Sequence, residues 1–416
     1  MAPFGLTRRS LFAATLALVL PLGFIGPAHA KTAQSQWVTV WSTAQMTPGA
    51  DSALSPADAT DATLRQTIRV AKGGNMIRLR LSNAMGTEPL SLRNVHVARA
   101  TIAGASTIDP GTDHPVTFGG LSDIVIPAGA DYISDPISMT VADQSVLAIS
   151  FHMTEAPKQQ TGHPGSRTTS WLVRGNRVSD AELPDAEHFD HWFTIAGLDI
   201  ENGSARAAVV AFGDSITDGY GIKPNSDSRW PDFLSRRLKD KPVSVLNAGI
   251  GGNRLLLDGL GPNAQARFDR DVLSQSGVRY VVVLEGVNDL GMLTRDAPVT
   301  QAAHDDLVAR LKTAYLQMIT KAHSHGLKIY GGTITPFMGM DYYHPDALNE
   351  ADRQAVNSWI RTSGAFDAVI DFDSALRDPA QPDRLSPAYD SGDHLHPSSA
   401  GYQVMAETID LKLFEN

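Results

Sequence analysis

Gly213-Asp214-Ser215 closes a run of apolar, strand-forming residues, 207–212, and leads into Ile216-Thr217-Asp218-Gly219. A serine just past the carboxyl end of a buried strand stands where open α/β sheets place their ligands. Its hydroxyl can act there as a nucleophile; it can equally cap a helix that follows a core strand. A second stretch, Asn247-Ala248-Gly249-Ile250-Gly251-Gly252-Asn253-Arg254, follows another apolar run. Its glycines let the backbone bend sharply and bring N–H groups to a ligand oxygen, or make a plain turn. Third, Gly286-Val287-Asn288-Asp289 puts an amide at the end of the run 281–285, where it can aim an N–H at a developing oxyanion or cap a turn.

The fourth stretch is Asp393-His394-Leu395-His396-Pro397. A carboxylate three residues from an imidazole can hold one ring nitrogen while the other faces a serine. On a strand, His394 and His396 would point the same way, which also admits a metal site with Asp393. No His-Glu-x-x-His motif accompanies it, and Gly-x-Ser-x-Gly, the nucleophile elbow of many hydrolases, is missing. The chain has no cysteine, so its chemistry rests on oxygen and nitrogen side chains.

Two kinds of texture surround these stretches. Residues 31–202 read as β structure: short alternating runs at 67–70, 76–81, 95–97, 124–126 and 145–151 are separated by Gly73-Gly74, Gly119-Gly120 and Pro127-Ala128-Gly129. Such spacing predicts an antiparallel β-sandwich. Ile77, Leu79 and Leu81 share one face, with Arg78 and Arg80 on the other. From residue 203 to 416, short buried-type strands at 207–213, 243–247, 280–285, 327–335 and 368–372 alternate with helical stretches. The clearest helix is 301–325, where Leu307, Leu311, Tyr315, Met318, Ile319 and Ala322 recur at three and four before Gly326. Alternation of this kind predicts an α/β fold, a parallel sheet with helices on both faces. The loop 336–345, rich in Met and Tyr, either walls the pocket or packs against the β-rich half, and packing is the preferred expectation. Segment 255–270 is open in the same way.

An apolar fraction of 42% supplies a core, and a formal net charge of −10 argues against a general nucleic-acid binder. Residues 1–30 combine Arg8-Arg9, an apolar run at 11–25 and a final Ala28-His29-Ala30. That is the pattern of a secretory signal peptide, and Arg8-Arg9 before Ser10-Leu11-Phe12 resembles a twin-arginine signal, with an ordinary secretory signal as the alternative. Pro21 and Gly23 interrupt the run, and no later segment is long and apolar enough to span a bilayer. The expectation is an exported protein, periplasmic or extracellular, without stable membrane insertion once the signal is cleaved.

In type, order and placement the four stretches resemble the SGNH (GDSL-type) hydrolase superfamily. The resemblance covers residues 207–416 and implies a flavodoxin-like sheet sandwiched by helices. It implies that Ser215 is the nucleophile and that Asp393 and His396 complete a triad. The Ser215 N–H, the Gly252 N–H and the Asn288 amide would form the oxyanion hole. No metal or organic cofactor is implied. His394 departs from the family pattern, where an apolar residue is common. Upstream, Trp41-Ser42-Thr43-Ala44-Gln45, Leu64-Arg65-Gln66-Thr67, Arg80-Leu81-Ser82-Asn83 and Ser134-Asp135-Pro136 resemble the β-rich extension of a bacterial subset of that family, as does Arg353-Gln354-Ala355-Val356-Asn357-Ser358-Trp359-Ile360-Arg361 in the catalytic half. The implied activity is cleavage of short-chain carboxylic esters, on small molecules or on polysaccharide O-acetyl groups. An O-acyltransferase acting on a glycan hydroxyl, or an inactive glycan-binding protein, are the competing readings.

Overall fold

Five short, mostly apolar strands make the sheet that carries the second half of the chain. In spatial order they are Val243–Gly249, Ala207–Gly213, Val278–Leu284, Lys328–Gly332 and Ala368–Ile370, all parallel. Ala207–Gly213 is buried along its whole length, as a strand covered on both faces must be. Numbered along the chain, the order is 2-1-3-4-5, the flavodoxin-like arrangement, so the topological switch lies beside the first strand. Helices Trp230–Arg237, Gln301–Ser324, Ala347–Thr362 and Ser399–Thr408 cover the sheet. The long one starts on a Thr300 cap and turns Leu307, Leu311, Tyr315, Met318, Ile319 and Ala322 inward.

This computed structural model describes residues 36–201 and 203–415. The expected signal peptide at 1–30 lies outside the described residues. Among the described residues no helix is long and apolar enough to cross a membrane.

Ahead of the parallel sheet, the strands are antiparallel. One sheet contains Trp37–Ser42, Ile195–Glu201 and Gly74–Ser82; a larger one contains Ala62–Arg69, Val146–Met153 and Leu90–Arg99. Ile77, Leu79, Leu81, Leu64, Phe151 and Leu92 all enter one hydrophobic core, which continues into Val209, Val210 and Phe212 of the parallel sheet.

The polar face of Gly74–Ser82 is largely covered by protein. Arg78 Nη2 donates to Ser276 Oγ at 3.0 Å, and Arg80 Nη2 to the Ser274 carbonyl at 3.4 Å. Asp199 accepts from Thr39 Oγ1, Arg78 Nε and Ser276 Oγ at 2.7–2.8 Å. Lys72, nearly buried, donates to the carbonyls of Leu238 and Lys239. Alternation that reads as core against solvent is core against a second layer of protein.

Two glycines set how closely the first two parallel strands approach the loop that follows the first. A Cβ at Gly213 would lie 2.2 Å from Thr217 Oγ1 and 2.5 Å from the Leu284 carbonyl, and one at Gly249 would lie 2.3 Å from the Asp218 N. Both contacts are with atoms that cannot swing away cheaply. Gly249→Ala should therefore lower the free energy of unfolding by about 1–3 kcal/mol, the usual cost of overpacking. Chemical denaturation checks this; a midpoint equal to that of the wild type would contradict it.

Candidate active site

Ser215 is the first residue of a single helical turn, Ser215–Asp218, built directly on the end of the first parallel strand. Asp214, not Ser215, caps that turn: its Oδ1 accepts from the Ile216 N–H at 2.9 Å. Gly219, at φ 84°, ends the turn by donating to the Ser215 carbonyl. The Ser215 hydroxyl is thereby released from capping, and its Oγ lies 2.8 Å from His396 Nε2.

The imidazole is held from behind. His396 Nδ1 lies 2.6 Å from Asp393 Oδ2, while the backbone N–H groups of Leu395 and His396 donate to Asp393 Oδ1 at 3.0 and 2.8 Å. Burial pushes the Asp393 carboxyl up, but the hydrogen bonds from the His396 ring and backbone outweigh it and hold it well below the usual carboxylate range. It is an anion facing Nδ1, and the tautomer it selects leaves Nε2 as an acceptor toward the serine. Tyr220 lies against the imidazole, ring centroids 4.1 Å apart, with the Arg167 guanidinium 5.7 Å from the tyrosine's centroid. His394 takes φ 63° and turns its Nδ1 to Asp390 Oδ2 at 2.6 Å, so the two histidines do not share a strand face.

The other two stretches arrive at the same cavity. Gly252 sits at φ 71° in a turn closed by Asn253 N–H to the Ile250 carbonyl. A Cβ there would meet Leu260 Cδ1 at 2.6 Å. Among the described residues the N–H groups of Ser215 and Gly252 donate to no protein acceptor. Asn288 is buried in the first turn of helix Val287–Thr294, beyond Gly286 at φ 108°. Its Nδ2 donates to the Asn253 carbonyl at 2.7 Å, and its Oδ1 accepts from the Tyr343 hydroxyl at 2.6 Å. A carbonyl can only accept, so the amide cannot be flipped, and one Nδ2 hydrogen remains unspent. The cavity, about 800 Å³, is lined by Ser215, Gly252, Asn288, Asp393 and His396 together.

Both halves of the chain wall it. Met46, Gly49 and Gly165 come from the β-rich half, Leu260 from segment 255–270, and Met340, Tyr342 and Tyr343 from loop 336–345. The preferred expectation for that loop, packing against the β-rich half, is thus corrected: its two tyrosines are pinned at the site, Tyr343 by Asn288 and Tyr342 by Arg295 at 3.0 Å. Sequence reasoning does not single out Tyr220, and it reaches Tyr343 and Arg267 only as members of loop 336–345 and segment 255–270. Their contacts run through space, and no local motif marks them.

Residues 211–404 match the family model described as GDSL-like lipase/acylhydrolase. The chain thus carries a GDSL-like lipase/acylhydrolase domain over these residues. Similar solved structures include a GDSL-like lipase from Bacteroides thetaiotaomicron (19% identity, 50% of this chain and 89% of that one, TM-score 0.37). Others are a member of the lipolytic protein G-D-S-L family from Veillonella parvula (18%, 49% and 95%, 0.36) and a carbohydrate acetylesterase from Sinorhizobium meliloti (14%, 50% and 98%, 0.39). No curated protein matches the chain.

Beneath the site of this GDSL domain lies a buried charge cluster. Arg267 donates to the carbonyls of Gly213 and Ala248, to Asn253 Oδ1 and to the carboxylates of Asp271 and Glu285, all at 2.7–3.1 Å. Burial pushes Glu285 well above the usual carboxylate range, with repulsion from Asp214 adding to it, and pushes Asp214 up to about 7. Asp289 is pushed up to about 6, burial outweighing the N–H bonds it receives from Leu255 and Leu256. A carboxyl whose folded pKa is raised stabilises most below its ordinary value near 4 and loses that contribution as pH climbs through its folded value. Asp289→Asn lacks this loss. Relative to the wild type its unfolding free energy should therefore rise by about 2 kcal/mol between roughly pH 4 and pH 7. Urea unfolding at the two pH values measures it, and a pH-independent difference would refute the assignment.

Proposed function

We propose that this GDSL acylhydrolase is a serine esterase cleaving short-chain carboxylic esters through an acyl-enzyme on Ser215. The observation that carries the reading is the continuous line from Ser215 Oγ to His396 Nε2, 2.8 Å, and from His396 Nδ1 to Asp393 Oδ2, 2.6 Å. In this mechanism His396 takes the serine proton as Oγ attacks the ester carbonyl, and Asp393 stabilises the imidazolium that forms. The carbonyl oxygen becomes an anion between the Ser215 N–H, the Gly252 N–H and the remaining Asn288 Nδ2 hydrogen, three donors with no competing partner to give up. His396 then protonates the leaving alcohol, and water, deprotonated by the same ring, releases the acid. Tyr343 is a positioning residue here: it fixes the amide plane of Asn288 without touching the reacting carbonyl. In the same reading, residues 31–202 form an accessory β domain, residues 203–416 the catalytic domain, and residues 1–30 an export signal. Small-molecule or polysaccharide O-acyl esters with short acyl groups are the proposed substrates.

Ser215→Ala should lower kcat on 4-nitrophenyl acetate by about five to six orders of magnitude with the unfolding midpoint retained. Asn288→Ala should cost about 10²–10³ in kcat. Tyr343→Phe, which keeps the ring and removes one hydrogen bond to the amide, should lower kcat about tenfold at little change in KM. Steady-state kinetics read all three; full turnover by the Ser215 variant would end the proposal.

A further inference from the structure

Three arginines line the cavity, and two of them are neutralised. Arg167 lies 3.4 Å from Asp218 Oδ2 and donates to the carbonyls of Gly165 and Asp218. Arg295 makes two bonds to the Asp296 carboxylate, each 2.9 Å, and a third to the Tyr342 hydroxyl. Arg254 differs. Among the described residues no carboxylate lies within ion-pair distance of it, and the hydrogen bonding of its guanidinium is a single donation from Nη2 to the Asp258 carbonyl. Asp289, a buried carboxyl on helix Val287–Thr294 that feels the charge of Arg254 without pairing with it, spends its oxygens on the Leu255 and Leu256 N–H groups.

The guanidinium is also placed rather than loose. It is half-buried, it follows the oxyanion-loop residues Gly252 and Asn253 directly, and it rests on the backbone of Gly259, where a Cβ would stand 2.7 Å from Nη2. The other charges of the cavity are accounted for: Asp218 by His163 and Arg167, Asp393 by His396, with Asp51 exposed at the rim. A partly desolvated guanidinium with most of its N–H groups unspent matches a carboxylate in charge and in planar, two-point geometry.

Resting on the esterase reading of this site, we propose that the cavity takes esters that carry a carboxylate, and that Arg254 binds it. The chain's net charge of −10 makes such a cationic point inside the cleft a specific device rather than a general attraction for anions.

The experiment compares charged esters with uncharged amide isosteres of the same shape. 4-Acetoxybenzoate against 4-acetoxybenzamide puts the charge on the alcohol; 4-nitrophenyl hemisuccinate against 4-nitrophenyl succinamate puts it on the acyl group. The wild type should favour the charged member of one pair by about tenfold or more in kcat/KM, the effect of one charge-assisted interaction, and the pair that responds tells which side of the ester Arg254 faces. Arg254→Gln should collapse that ratio toward one, and Arg254→Lys should restore part of it. Because each ratio is taken within one variant, loss of folded protein cancels. No preference in the wild type for either pair, or a preference that survives Arg254→Gln, overturns the subsite while cleavage of the amide isosteres upholds the esterase. A wild type inert toward all four esters removes the esterase reading and this proposal together.

Discussion

A single guanidinium with no access to water ties the site together. Arg267 reaches the backbone of Gly213 at the end of one strand, that of Ala248 on the next, and the side chain of Asn253 in the loop beyond. It also lies 4.1 Å from the centroid of Phe212. These are the roots of the segments that present Ser215 and Gly252, so the spacing between the serine and the glycine loop is set from underneath. A buried cation is tolerable only with anionic partners. Asp271 supplies one at 3.0 Å, and Glu285, whose burial favours the neutral acid, hydrogen-bonds the same guanidinium and brings the third strand end, the one leading to Asn288, into the same arrangement. Three strand ends share one electrostatic requirement.

Above that layer, the donors and acceptors of the site are mostly fixed by groups that do no chemistry. Asn247 is an example: its Nδ2 donates to the Thr217 carbonyl and its Oδ1 accepts from the Gly249 N–H. One side chain thus links the serine's helical turn to the glycine loop. Asp214 caps that turn so that its neighbour need not, and Tyr343 orients an amide it shares no element with. Each of these is a hydrogen bond whose geometry keeps another group's polar atom free.

Much of the fold is readable along the chain because parallel strands buried on both faces show as unbroken apolar runs. Ala207–Gly213 falls where its run does, and the helix from Gln301 ends one residue before the expected bound. Less legible is where pairing stops: the run at 327–335 forms a strand only over Lys328–Gly332, since its neighbour Ala368–Ile370 is three residues long. Segment 255–270 carries no usable period, and it folds as irregular loop, one short helix and the start of a π-helical turn. Site residues were legible wherever chemistry and strand end coincide, as at Ser215 and Asn288. Loop 336–345 is hard to place from its sequence because its composition suits a core as well as a pocket wall; the Tyr343–Asn288 and Tyr342–Arg295 bonds distinguish the two.

The junction at Asp218 has a consequence for modularity. This carboxylate, buried and held as an anion, ends the helical turn that begins at Ser215, yet its partner His163 belongs to the β-rich half. His163 Nδ1 lies 2.8 Å from the Ala44 carbonyl and Nε2 2.9 Å from Asp218 Oδ1. Excising the parallel-sheet half at the chain's change of texture would strip His163, and the Arg167 cation with it, from a carboxylate three residues from the serine. The β-rich half is therefore no detachable appendage: it supplies the counter-charge on which an autonomous hydrolase core of this sequence would depend.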